Sequence, residues 1–175
     1  MLIAPLAEEG PMKITAQEEY GLRCLLCVVE DGREEPLSAG DIAEREGLSL
    51  PYAQKLLREL SKTGMVEAKR GKNGGYILAR PADAISLGDV MRQLGGMLEI
   101  ERFCEEHTGN RDVCTHDCNC SIRPVWTHVS EFLMETMDNI PLSLLIEREE
   151  EVEEFLDQLD PPEATPDATV EEVAG

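Results

Sequence analysis

The chain has 175 residues and a formal net charge of −20, with 36 acidic residues against 16 basic ones. No stretch approaches the roughly 18 apolar residues of a membrane span, and the opening MLIAPLAEEGP lacks the basic start of a secretory signal. These features predict a cytoplasmic protein, in which disulfides are rare and clustered cysteines more often bind metal or sense redox state.

The charge is unevenly distributed along the chain. Residues 49–80 contain seven basic and two acidic residues, a net charge of +5, whereas residues 147–175 contain twelve acidic residues and one basic residue, a net charge of −11. Because binding responds to the local field, the first segment can bind nucleic acid despite the overall charge. The second segment has the low hydrophobicity and high charge typical of a disordered tail.

A first helix is predicted to begin at Thr15 or Gln17 and to end at Asp31-Gly32. Cys24 and Cys27 are three residues apart and therefore lie on the same face of this helix. Their neighbours are aliphatic, so we interpret both as core residues rather than ligands. They have the C-x-x-C spacing but not the βαβ context of a thioredoxin-like site.

The next segment has the pattern of a winged helix-turn-helix. Ser38 is a plausible N-cap for AGDIAEREG, which ends at Gly47, and Ser49 or Leu50 caps the following helix PYAQKLLRELSKTG. Two short helices joined by a tight turn with glycine are typical of a helix-turn-helix. The runs MVEA and ILA then flank the basic glycine-rich segment KRGKNGGY, which predicts a β-hairpin, the wing.

Residues able to hydrogen-bond bases or phosphates lie where such a domain reads DNA. A recognition helix places its first residues against base edges in the major groove; here these are Ser49, Tyr52, Gln54 and Lys55. Arg70, at the hairpin tip, suits the narrow, electronegative minor groove. The alternative is that this basic run is only the solvated face of a small helical domain.

Two further helices are predicted in the second half. One follows Ser86 and closes at Gly95-Gly96. The other begins at Pro124 and carries an apolar stripe, which predicts a dimerisation surface unless it packs on its own domain. The stripe comprises Val125, Val129, Phe132, Leu133, Met137 and Ile140.

Between these helices, four cysteines lie in a polar loop, at Cys104, Cys114, Cys118 and Cys120. Thiols in such a setting either cross-link or bind metal as thiolates. Metal binding is favoured, and a repressor controlled by a thiol switch is one alternative. All-thiolate ligation suits an iron–sulfur cluster or a tetrahedral zinc. The spacing favours a cluster, because zinc sites usually use two close cysteine pairs. A zinc-stapled DNA-binding or scaffolding protein without sensing is the other alternative.

The sequence contains no Walker loop, dinucleotide fingerprint or nucleophile–base constellation. We therefore expect no enzymatic activity and no small-molecule substrate.

From about Met12 to Ile146, the chain resembles the winged-helix regulators of the Rrf-two family, typified by the iron–sulfur cluster regulator IscR and the nitric-oxide sensor NsrR. The matching segments are MKITAQEEYGLRCL, LSLPYAQKLLRELSKTGMV, KRGKNGGYILARP and the cysteine loop with its trailing Trp126. Met12 matches the usual first residue of the family, so residues 1–11 are an extension or a misassigned start.

The resemblance implies a homodimer that binds operator DNA and senses iron–sulfur status, redox state or nitric oxide. It also implies an iron–sulfur cluster, with [2Fe–2S] favoured over [4Fe–4S], on three loop cysteines and a variable fourth ligand. The three cysteines match Cys104, Cys114 and Cys120. The fourth ligand is left open between Cys118 and Glu19 of the partner subunit, with His107 and His116 as further candidates. Arg123, where other members have a histidine, cannot be a ligand.

The expected fold is mainly α-helical with a small β-wing. The predicted organisation is an N-terminal extension over 1–11, a winged helix-turn-helix domain over 12–82, a connecting helix over 83–100, a cysteine loop over 101–123, a dimerisation helix over 124–146 and an acidic disordered tail over 147–175.

Overall fold

The computed structural model describes residues 14–31, 36–71, 73–95, 108, 110–116 and 119–159. In these residues the fold is mainly helical, as predicted, with one two-stranded antiparallel sheet. The elements are α1 (Ala16–Asp31), α2 (Ala39–Glu46), α3 (Leu50–Lys62), β1 (Val66–Lys69), β2 (Gly75–Leu78), a 3₁₀ helix (Ala82–Ala84), α4 (Leu87–Leu94), α5 (Arg123–Asp138), a second 3₁₀ helix (Leu142–Ile146) and α6 (Glu149–Gln158).

The start of α1 is a reciprocal capping arrangement. The Glu18 N–H donates to the Thr15 hydroxyl at 3.2 Å, and the Thr15 N–H donates to the Glu18 carboxylate at 2.7 Å. This pattern, T-x-x-E, satisfies two N–H groups that lack partners within the helix. Thr15 rather than Gln17 therefore caps the helix, whose first residue is Ala16. Glu18 is buried beneath the end of α4.

The helix-turn-helix forms as predicted. Ser38 caps α2 by accepting from the Asp41 N–H, and Gly47 ends the helix with a φ of 64°, which glycine adopts without strain. The core is built where α1, α2 and α3 meet. Its fully buried side chains include Leu25, Ile42, Leu56, Leu57 and Leu60.

The wing is the antiparallel pair of β1 and β2, with Val66 opposite Leu78 and Lys69 opposite Gly75. The segment before α2 anchors it, because Leu37 and Tyr76 exchange backbone hydrogen bonds of 3.0 and 2.8 Å. A Cβ atom at Gly75 would collide with the Leu37 carbonyl, so this close approach requires glycine. The predicted hairpin is confirmed, and its base is fixed to the helical core.

The connecting helix closes where the glycines predicted, whereas the dimerisation helix is shorter than predicted. Ser86 caps α4 through the Asp89 N–H, and Gly95 caps the end of the helix after Leu94. Residues 96–100 of the predicted connecting segment lie outside the described residues. Helix α5 ends at Asp138 rather than at 146, because Pro141 disfavours helical backbone at the preceding residue and has no N–H to donate. The chain beyond it turns inward, where Ile140 is buried instead of extending the apolar stripe.

The prediction of disorder over 147–175 is wrong for its first part, since Glu149–Gln158 form α6. Three glutamates in the first turn interact favourably with the helix dipole, and Arg148 Nη2 lies 2.7 Å from a Glu151 oxygen. Val152 and Phe155 are half-buried on this helix, which packs against the second 3₁₀ helix. Residues 160–175 lie outside the described part of the chain.

Within the described residues, no helix is both long enough and apolar enough to span a membrane.

Candidate DNA-binding face and cysteine loop

The first turns of α3 and the wing present the polar residues predicted to read DNA. Gln54 and Lys55 are exposed on α3, and Arg70 is exposed where β1 gives way to the turn of the wing. Ser49 is the exposed N-cap residue, and its side chain makes no capping hydrogen bond. The hydroxyl is therefore not needed to hold the helix end.

A groove of about 400 Å³ lies between α3 and the wing. Gln54 and Arg58 line it from α3, whereas Lys69 and Tyr76 line it from the two strands. Lys69 also lies 2.7 Å from Glu67 in an exposed ion pair. Arg58 and Lys69 were not among the predicted site residues, although both belong to the net positive segment 49–80. Their place in the groove suits contacts with a phosphate backbone.

Tyr52 is only half-exposed, unlike the other predicted DNA-reading residues on α3. Its ring packs edge-on against Tyr20 of α1, with centroids 6.1 Å apart and an interplanar angle of 81°. Its hydroxyl lies 3.4 Å from the Ala16 carbonyl, at the start of α1. Tyr52 thus also holds the recognition helix against α1.

A polar cluster around Glu46 fixes the turn between α2 and α3. The Arg23 Nε donates to one carboxylate oxygen at 2.6 Å, and the Cys27 thiol donates to the other at 3.0 Å. Arg23 also stacks over the Tyr20 ring, 5.5 Å from its centroid. Because Glu46 immediately precedes the turn at Gly47, these bonds from α1 orient the start of the recognition helix.

Cys24 and Cys27 are buried core residues, as predicted. Burial raises the pKa of Cys24 to about 11, and burial together with the hydrogen bond to Glu46 raises the pKa of Cys27 to about 12. Both remain protonated thiols at neutral pH, and metal ligation requires thiolates. These two residues are therefore poor candidate ligands.

Cys114 and Cys120, by contrast, are partly exposed in the loop before α5. Arg111 and Asp112 beside them are exposed, and the Asn119 N–H donates to the His116 carbonyl at 3.2 Å. Accessible thiols on a polar loop are the donor type that iron–sulfur clusters use. In this respect the described cysteines fit the group implied by the resemblance.

The other predicted ligands are not brought together in the described part of the chain. Cys104, His107 and Cys118 lie outside the described residues, and Glu19 is exposed on the first turn of α1. Among the residues that are described, no three His, Cys, Asp or Glu side chains are grouped to hold a metal ion. The ligand set stays a prediction.

Helix α5 carries an exposed apolar row. All of residues 123–138 are described, and none of them is buried. The row follows three- and four-residue steps and therefore lies along one face. Val125 is 58% exposed, Trp126 43% and Phe132 43%. The members of the row are Ile122, Val125, Trp126, Val129 and Phe132.

This combination of a recognition helix, a wing and a separate helix after a cysteine loop agrees with the comparison to known proteins. The family model for Rrf2, described as an iron-dependent transcriptional regulator, matches residues 14–148. The chain belongs to the Rrf2 family. The protein rrf2 of Nitratidesulfovibrio vulgaris is 35% identical over 135 residues, which cover 77% of this chain and 87% of that protein.

Solved structures of Rrf2-type regulators share the fold. The IscR of T. potens has a TM-score of 0.59 and 32% identity, and the match covers 85% of this chain and 92% of that one. CymR of B. subtilis, described as a global cysteine regulator, has a TM-score of 0.60 and 29% identity, and the match covers 78% of this chain and 97% of CymR. The protein is thus a winged-helix transcriptional regulator of the Rrf2 family and not an enzyme, as the sequence predicted.

The contrast between the two sets of cysteines in this Rrf2 protein leads to a labelling prediction. In metal-free, reduced protein at pH 8, iodoacetamide should alkylate Cys114 and Cys120 within minutes. Cys24 and Cys27 should react only after unfolding, because they are buried and their raised pKa values leave almost no thiolate. Peptide mass spectrometry at timed intervals measures this. Rapid labelling of Cys27 in the folded protein would contradict the assigned environment.

Proposed function

We propose that this Rrf2 regulator is a homodimer that binds a two-half-site operator and responds to an iron–sulfur cluster held by its cysteine loop. Cys104, Cys114 and Cys120 would supply thiolates. Cys118 of the same chain or Glu19 of the partner subunit would be the fourth ligand. When bound, the cluster would supply a group that reacts to iron supply, redox state or nitric oxide.

The observation that carries the proposal is the shared groove of α3 and the wing. Gln54 and Arg58 line one side of this groove, and Lys69, Gly74 and Gly75 line the other. Lys55 and Arg70 are exposed on the same two elements. In a winged helix, the first turns of the recognition helix read base edges, and a basic hairpin tip reaches the minor groove. We infer that Ser49, Gln54 and Lys55 read the major groove, with Tyr52 contributing from its half-buried position. Arg58 and Lys69 bind the backbone.

The exposed apolar row of α5 supports the homodimer. Four large apolar side chains on α5, with Ile122 at its N-cap, form one row, whereas scattered surface residues would not be aligned. Pairing the same row from two copies gives a self-complementary, isologous contact. Because α5 follows the DNA-binding domain in the chain, such a contact would also hold two recognition helices at a set separation.

The wing prediction is tested at Arg70. Replacing it with alanine should weaken binding by about 1–3 kcal/mol, the usual cost of a sequence-reading contact, and relax the preference at one operator position. The Arg58→Ala variant should instead weaken binding similarly on all sequences and reduce the salt slope by about 1, as for a phosphate contact. Fluorescence anisotropy on an operator selected from random DNA measures both. Unchanged affinity of the Arg70→Ala variant would show that the wing does not read DNA.

The cluster prediction is tested on protein purified without oxygen. A brown protein with iron and acid-labile sulfide is expected, and a colourless protein containing zinc would favour the zinc-stapled alternative. Operator affinity should differ between the cluster-bound and cluster-free dimers by a factor of about 5–150, the range typical of coupled sites. Equal affinities would make the cluster structural. A metal-free protein whose affinity follows thiol oxidation would indicate a thiol switch instead.

A further inference from the structure

The end of α5 is tied to α4 by a fork-shaped ion pair. Arg92 Nη1 donates to Asp138 Oδ1 at 2.7 Å, and Arg92 Nη2 donates to Asp138 Oδ2. The Ser86 hydroxyl lies 3.5 Å from the same Oδ1. Two parallel hydrogen bonds between a planar guanidinium and a carboxylate fix orientation as well as distance. The pairing also holds the pKa of Asp138 below its usual range, so the carboxylate is charged at neutral pH.

The backbone around this ion pair is closely packed. A Cβ atom at Gly88 would collide with the Asp138 carboxylate and lie 3.1 Å from the Asp138 backbone nitrogen, so a larger residue here would displace the carboxylate that Arg92 binds. Beside it, the Leu87 N–H donates to the Ile140 carbonyl and the Leu142 N–H to the Ile85 carbonyl, both at 2.8 Å. These contacts fix the direction in which α5 leaves the DNA-binding domain.

The last residue of α4, two residues after Arg92, is held closely by α1. Gln17 Nε2 donates to the Leu94 carbonyl at 2.7 Å. A Cβ atom at Gly21 would lie 2.6 Å from Leu94 Cδ2, and Leu94 itself is buried. Helix α4 therefore links the helices that carry the DNA-binding face to the helix that carries the apolar row.

We propose that the Arg92–Asp138 pair determines which operator half-site spacing the dimer accepts. This inference rests on the proposed function, because it requires a dimer formed through α5. With 1.5 Å of rise per residue, the 16 residues of α5 span about 24 Å. A rotation of about 10° at the joint would then move the far end by about 4 Å, close to the roughly 3.4 Å rise of one base pair. Loss of the ion pair between α4 and α5 should thus reduce the difference in affinity between operators whose half-site spacings differ by one base pair.

The experiment uses an operator selected from random DNA by the wild-type protein, together with derivatives whose half-sites are moved apart or together by one and two base pairs. The wild type should prefer one spacing by about tenfold or more, within the usual range for coupled sites. The Arg92→Gln variant should bind the neighbouring spacings nearly as well as the preferred one. Its affinity for a duplex with a single half-site should equal that of the wild type.

The matched control is Arg148→Gln, which removes an arginine paired with Glu151 away from this joint; it should keep the wild-type preference. Should Arg92→Gln unfold, Arg92→Lys carries the same expectation, because it keeps the charge but loses the fork. An unchanged spacing preference in the Arg92 variant would overturn the inference, as would an equal loss at every spacing and on the single half-site. A wild type that is monomeric or selects no operator would instead refute the proposed function.

Discussion

Replacing Val129 with glutamate should leave the protein monomeric and lower its operator affinity by about 100-fold or more, because two linked half-site contacts exceed a single one by that order. Val129 lies in the exposed apolar row of α5. A carboxylate there would have to be buried without a partner when two copies pair, which is costly. Sedimentation velocity would report the oligomeric state, and anisotropy would report the affinity.

Thr127→Glu is the matched control, since it adds the same side chain at a position that no three- or four-residue step joins to the row. It should remain dimeric and bind the operator with nearly wild-type affinity. If Val129→Glu also stayed dimeric, the apolar row would not be the interface. If both variants became monomeric, added charge on α5 rather than the row would be responsible.

Replacing any one of Cys104, Cys114 and Cys120 with serine should abolish the proposed iron–sulfur cluster, because a serine oxygen is a poor substitute for a soft thiolate as an iron ligand. Cys24→Ala and Cys27→Ala are the controls and should retain iron and sulfide, since those thiols are buried in the core. Iron and acid-labile sulfide per protomer, measured without oxygen, provide the readout.

A full cluster in Cys120→Ser would refute the ligand assignment. The fourth ligand is identified by comparing Cys118→Ala with Glu19→Ala, since only one of them should lose the cluster. If Glu19 is the ligand, mixing wild-type protein with the Glu19→Ala variant should give heterodimers in which one of the two clusters is lost. A Cys118 ligand predicts no such dependence on the partner subunit.

Local patterns in the sequence were sufficient to predict most of the DNA-binding domain. Ser38, Gly47 and Pro51 mark helix ends through chemistry that acts within three or four residues, and the structure has α2 and α3 at the predicted places. The glycine-rich basic turn similarly predicted the wing. The burial of Cys24 and Cys27 could be predicted because their aliphatic neighbours on α1 are close in sequence.

The predictions failed where segments distant in sequence decide the outcome. The acidic segment at Glu149–Gln158 is helical although its composition suggests disorder, because this helix packs against the second 3₁₀ helix, with Val152 and Phe155 half-buried on it. The apolar stripe was extended to Ile140, which is instead buried after α5 has ended. In both cases a tertiary contact decides the outcome, and neither composition nor periodicity predicts such a contact.

By itself, the sequence determined the family, the helix-turn-helix, the wing and the contrast between core and loop cysteines, because caps, turns and apolar spacing act over short distances. Only the tertiary structure decided how these parts are joined. The pairing of Glu46 with Arg23 and Cys27, and of Asp138 with Arg92, spans 19 to 46 residues. Charged and polar partners so far apart carry no periodic signal, and they meet only once the core has brought their helices together.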